Sequence, residues 1–189
     1  MRNITVLIVV VSTANLGGQG QTRPKLPFVD RTCPFQDCRS RTWSVVAETR
    51  LFTSLGRDAG VTATLQPGMT VRGVSGLVVT TRLGRAVVTE SMVTGRGPVT
   101  FKVRPGDPVF VLHYAAEGGE FTFWLRGVTD TAFIPDQDSC RRNPAIASEC
   151  AIQMVELPEC VWWVQVRSQD GRDGWTRQLD HFVLRSEVR

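Results

Sequence analysis

Lysine, histidine and tyrosine are nearly missing from this 189-residue chain: Lys25 and Lys102, His113 and His181, and Tyr114 are all it has of them. Each scarcity excludes something. Two histidines far apart in sequence, with no C-x-x-C among the five cysteines, do not make a zinc centre, so no metal and no cofactor is expected. The cationic residues are almost all arginine, scattered singly or in near pairs such as Arg39 and Arg41 or Arg141 and Arg142. A nucleic-acid binder gathers its charge on one face, because each neutralised phosphate adds to affinity. Scattered charge therefore argues against a nucleic-acid partner. A single tyrosine also argues against the tyrosine-lined groove that holds polyproline peptides.

Long apolar runs are equally scarce. The longest one is Ile4–Val11, broken only by Thr5, inside "MRNITVLIVVVSTANLGGQG". A membrane anchor needs about 20 apolar residues, so no membrane span is expected. Arg2 before the run, and the small residues Gly18 and Gly20 after it, instead form the three-part pattern of a secretory signal peptide over residues 1–20. A buried strand is the alternative. No cysteine directly follows the run, which argues against a lipoprotein anchor. Export would place the protein outside the cell or in a periplasm. The formal charge of +4 falls to +3 on cleavage, since residues 1–20 carry one arginine and no acid.

Cys33, Cys38, Cys140, Cys150 and Cys160 all lie beyond that leader. In an exported chain they suggest disulfides. Spacing leaves the connectivity open. The local reading pairs Cys33 with Cys38 across "CPFQDC" and Cys140 with Cys150 across "CRRNPAIASEC", leaving Cys160 over.

The rest reads as all-β. Residues 21–42 form a Pro-rich polar arm holding the first cysteine pair. From Trp43 onward, short runs rich in Val, Thr and Phe are broken by Gly and Pro about every ten residues. "NPAIASECAIQM" alone has the composition of a helix. "VTATLQPGMTV" (Val61–Val71) and "VTFKVRPGDPV" (Val99–Val109) repeat one pattern, a strand, a Pro-Gly type II turn and a strand. Residues 128–160, with Pro, Asp, Ser and three cysteines, read as a loop insertion. In "EFTFWLRG", alternation turns Phe121, Phe123 and Leu125 inward and Trp124 and Arg126 outward.

"WWVQVRSQDGRDGWTRQLDHF" (Trp162–Phe182) holds three of the five tryptophans around an Asp170-Gly171 hairpin turn. Alternation puts Trp162, Val164 and Val166 on the apolar face, and Trp163, Gln165 and Arg167 on the other. With its W-x-x-V, D-G-x-x-G-W and closing turn, the segment resembles the final half of a bacterial SH3-like domain. "ETRLFTSLGRDAGVTATLQPGMTVRGVSG" (Glu48–Gly76) resembles the opening half, and "VRPGDPVFVLHYAAEGGEFTFWLRG" a further set of such strands. The resemblance implies small SH3-like barrels over residues 43–184. Either two stand in tandem, or the middle repeat is inserted into the first. It also implies a module that binds cell-wall material, such as peptidoglycan, or an envelope peptide or protein. Trp124, Arg126, Trp163 and Arg167 are the candidate ligand residues, since a Trp beside an Arg stacks on a sugar and grips a carboxylate. The alternative is that these tryptophans fill the contact between two barrels. Trp43, Trp162 and Trp175 are assigned to the core.

No catalytic motif is legible: there is no G-x-S-x-G, no H-E-x-x-H and no phosphate-binding glycine loop. Glu117 and Glu120 sit in a Gly-rich turn and lack the rigid cleft a glycosidase needs. His113 shares a face with Val109 and Val111, and His181 lies in the closing turn. "SCRR" at Cys140 resembles part of the L,D-transpeptidase nucleophile pattern without its glycine. The expectation is a non-catalytic exported binding or scaffolding module. A cysteine enzyme using Cys140 or Cys160 with a histidine is one alternative, and a structural partner of another exported protein is the other.

Overall fold

The computed structural model describes residues 23–33, 38–39, 41–56, 58–94, 100–116 and 119–184. The leader expected at residues 1–20 lies outside them, as does Glu117. The chain is a succession of antiparallel strands. The first five are β1 (Phe28–Asp30), β2 (Thr42–Val45), β3 (Thr49–Phe52), β4 (Val61–Leu65) and β5 (Thr70–Arg82). Next come β6 (Gly84–Val88), β7 (Met92–Thr94), β8 (Phe101–Val103), β9 (Val109–Ala116), β10 (Glu120–Leu125), β11 (Val128–Phe133) and β12 (Ile152–Glu156). The last three are β13 (Glu159–Ser168), β14 (Asp173–Thr176) and β15 (Phe182–Leu184).

Strands β15-β2-β5-β13-β14-β3-β4 form one curled sheet in that order, with β1 also paired to β5. Strands β11-β10-β9-β6-β12 form a second sheet, and β7 and β8 make a separate hairpin. β5 and β13 pair from Val71↔Ser168 to Arg82↔Glu159, with register shifts between Gln165 and Val166 and between Glu159 and Cys160. Every strand of the second sheet falls between them in sequence. The arrangement is therefore nested rather than tandem, with the second sheet emerging from the far end of one long ribbon.

Each sheet has its own core. Trp43, Val45, Leu51, Leu65, Val71, Val164, Val166 and Phe182 fill the first. Val103, Val109, Val111, Phe121, Phe123, Leu125, Ile134 and Ile152 belong to the second. Inward residues alternate with half-buried ones along β10, as the pleat demands. Burying a side chain such as Phe123 or Leu125 contributes roughly 1.5–3 kcal/mol.

The repeated Pro-Gly units both turn as expected. Gly68 (φ 86°) and Gly106 (φ 92°) take the left-handed backbone that a type II turn requires. Met69 N–H donates to Gln66 O, and Asp107 N–H to Arg104 O. In both units the flanking strands pair elsewhere: β4 with β3 and β8 with β7 before the turn, β5 with β2 and β9 with β6 after it. Each unit is thus a corner, not a hairpin.

Residues 128–160 are more ordered than a loop. Val128–Phe133 and Ile152–Glu156 are strands β11 and β12, so the cysteine-bearing insertion shrinks to the connection between them. Within it lie the helix α1 (Gln137–Arg142) and a 3-10 turn, Pro144–Glu149. The helix starts earlier than composition suggests because Asp136 caps it, accepting from Ser139 N–H at 2.8 Å and Ser139 Oγ at 2.7 Å. Cys33–Cys38 and Cys140–Cys150 are both bonded, with Cα separations of 5.4 and 5.8 Å, and Cys160 is free.

Candidate binding surfaces

The closing hairpin turns at Ser168–Gly171, where Gly171 (φ 83°) donates its N–H to Ser168 O and Ser168 N–H to Arg172 O. That three-residue loop sets the register Val164↔Thr176, Gln165↔Trp175 and Arg167↔Asp173. Val164 and Val166 point into the first core, as alternation predicts. Trp175 does not, contrary to the core assignment. Its neighbours Gly174 and Thr176 take the inward positions, and a Cβ on Gly174 would lie 2.6 Å from Leu51 Cβ. Trp175 therefore joins the outward row, opposite Gln165 on β13 and Phe52 on β3.

Trp163 occupies the same outward face, opposite Leu77 and diagonal to Trp175. Diagonal positions on one face lie about 7–8 Å apart, within reach of aromatic rings. Trp163, Trp175 and Phe52 are each half-buried. Arg167, at the end of this row, grips Asp173 with Nε and Nη2, each at 2.6 Å. That pair pushes the Asp173 carboxyl below its ordinary range. Beside it, Arg172 and Ser168 hold Asp170 down to about 2.

Trp124 and Arg126 belong to the other sheet, so the structure places the four candidate residues in two separate pairs. Trp124 is half-buried and meets Phe28 of β1 edge-on, centroids 6.2 Å apart. The arm continues along this face, with the Arg23 guanidinium 5.8 Å over Phe110 and Asp30 Oδ2 3.0 Å from His113 Nε2. Trp124 thus sits under the chain's own arm, at the contact between the sheets. Arg126 (φ 51°) shares a tight turn with Gly127 (φ 92°) and bonds Asp107 at 2.8 Å.

His113 also departs from its expected face. β10 pairs Phe123 with Val111 but Thr122 with His113, so one extra residue, Leu112, bulges out of β9. The bulge turns His113 away from the second core and edge-on to Trp162, 5.8 Å away. His113 is 1% exposed. Its Nδ1 lies 2.9 Å from Tyr114 O. Both ring nitrogens thus lie within hydrogen-bond distance of an oxygen. The hydrogen bond from His113 holds the Asp30 carboxyl below its ordinary range, against the opposing effect of burial. The bulge also directs Leu112 O to the first sheet, where it accepts from Thr80 Oγ at 2.8 Å and Cys160 Sγ at 3.1 Å.

Those contacts bear on the cysteine chemistry. Cys140 is held in a disulfide and has no thiol. Burial pushes the Cys160 thiol up, away from the thiolate that a nucleophile needs. His181 Nδ1 lies 3.0 Å from Thr49 Oγ, which itself donates to Ala47 O at 2.9 Å, so the ring is the donor.

Among the described residues, two of the concavities offer room for a ligand. A polar cleft of about 520 Å³ holds Asp30, His113, Glu120, Thr122, Asp130 and Thr131. A larger, mostly apolar groove of about 710 Å³ runs between the second sheet and the α1 connection, walled by Phe121, Phe133, Ile134, Ile146, Met154 and Leu157. Sequence reading missed this groove because all of its wall except Gly119 and Phe121 comes from residues 128–160. The Val155-x-Leu157 step was its one signal, two apolar residues 40% and 60% exposed. No family model, curated protein or solved structure matches the chain.

Proposed function

We propose that this chain is an exported, non-catalytic binding or scaffolding module of a bacterial-type cell envelope, built on an SH3-like barrel and holding cell-wall material or an envelope peptide. The observation that carries the reading is the outward row Trp163–Trp175–Phe52 on the closing hairpin, with Arg167 at its end. Flat aromatic faces stack on sugar rings and on peptide side chains, and a nearby guanidinium orients a carboxylate. The strand order supports the SH3-like part: β2, β5, β13 and β14 follow one another, and β15 returns after a 3-10 turn to pair with β2. The two bonded cysteine pairs agree with an oxidising compartment.

The test is co-sedimentation of residues 21–189 with insoluble peptidoglycan at low and high salt. Salt-resistant pelleting, reduced at least tenfold by Trp163→Ala or Trp175→Ala with unchanged melting temperature, is the expected result. Trp124→Ala should instead lower the melting temperature, because it removes the Phe28 contact of the arm. Absence of pelleting at either salt would sink the wall-binding reading in favour of a protein partner on the same face.

A further inference from the structure

We propose that the apolar groove beside α1 is a binding site for a single-chain acyl carboxylate, with the chain against Phe121, Phe133 and Leu157 and the carboxylate at Arg142. The site is separate from the Trp163–Trp175 face, which belongs to the other sheet. Its volume of about 710 Å³ falls within the range of small-ligand pockets, roughly 300–1,000 Å³. Carbon dominates the walls, and Leu157 stands 60% exposed at the mouth.

The polar rim decides the head group. Asp136 directs both carboxylate oxygens to Ser139 as the cap of α1. Asn143 Oδ1 accepts from Ala145 N–H at 3.1 Å. Arg142 uses only its Nε, on Asp138 O at 3.3 Å, and among the described residues no carboxylate pairs with its guanidinium. A helix of six residues sets Arg142 about 9 Å from Asp136. The rim therefore offers one unpaired cation with two free nitrogens, matched to a carboxylate. The Cys140–Cys150 bond closes the connection that carries Arg142 and Ile146, fixing this wall over the groove.

The test is calorimetric titration of the disulfide-intact protein with octanoate, decanoate and dodecanoate below their micelle concentrations. Saturable binding should tighten roughly fourfold per methylene, the equivalent of about 0.8 kcal/mol. Leu157→Asp, at an exposed position, should weaken dodecanoate at least tenfold without changing the melting temperature. Arg142→Gln should abolish the preference for dodecanoate over dodecyltrimethylammonium. Absence of saturation, no dependence on chain length, or equal binding by the Leu157→Asp protein would overturn the site. Equal affinity of the unmodified protein for the cationic amphiphile would overturn the carboxylate. Flotation with phosphatidylglycerol vesicles that is sensitive to Leu157→Asp would replace the free acid by a membrane surface.

Discussion

At the scale of single residues, two glycines separate conformational need from space. Gly171 lies in left-handed backbone with nothing within 4 Å of a Cβ built on it. Gly171→Ala should therefore cost only the left-handed strain, about 1–2 kcal/mol. A Cβ on Gly73 would sit 1.9 Å from Cys38 O and 3.0 Å from the Trp43 ring. Cys38 is fully buried in the first core, so its backbone cannot withdraw without opening that core. Gly73→Ala should cost at least about 3 kcal/mol, beyond ordinary overpacking. Urea unfolding followed by tryptophan fluorescence measures both, and equal midpoints for the two variants would refute the distinction. Only one of the two was legible in sequence. Asp170-Gly171 announces a turn by its chemistry, whereas Gly73 is required by a segment more than thirty positions earlier in the chain. Trp175 misled for a related reason: its size argued for burial, while the space beneath it admits only Gly174.

At the scale of elements, regular alternation made β10 and the inward Val164 and Val166 of β13 readable, though not Trp162, which is half-buried outside the first core, and short loops made both disulfides readable. The bulge in β9 was not, because a single extra residue reverses the faces after it and leaves no compositional trace. That bulge creates the junction that ties the arm to the second sheet through Asp30 and His113. A carboxyl held below its ordinary pKa stabilises the fold fully above the unfolded value, near 3.8. The contribution is lost as pH falls through the lower, folded value. Asp30→Asn keeps an acceptor for His113 but removes the charge. Its melting temperature should lie below that of the unmodified protein at about pH 5. The gap should close below the ordinary carboxylate pKa. Glu120 and Asp130 share the cleft, but they are present in both proteins and cancel in the comparison. A gap that persists unchanged to pH 2.5 would show that the ion pair contributes nothing and that the side chain acts through packing alone.

At the scale of the whole molecule, nesting separates two bodies that the sequence left as either tandem or inserted. The alternatives looked alike because the pairing of β5 with β13 joins Val71 to Ser168, a separation that no local pattern encodes. Its consequence is testable. Every residue of the first core lies outside 83–158, and every residue of the second lies inside it. Arg82 and Glu159 end the ribbon as a pair, and a Cβ on Gly84 would lie 2.7 Å from Pro158 N. The two chain ends of the insertion are therefore adjacent. Replacing residues 83–158 by Asn-Gly would close β5 and β13 as a two-residue hairpin of the favoured type. Such a chain should fold and unfold cooperatively, with Trp43 buried as before. It should be less stable than the whole, because Thr80 loses its bond to Leu112 O and Trp162 loses the cover of His113. Strong protection of β5 and β13 amides from hydrogen exchange would establish the first sheet as self-sufficient. A chain with no cooperative transition would mean that the ribbon needs the second sheet, and that the two cores, though separate in composition, form one folding unit.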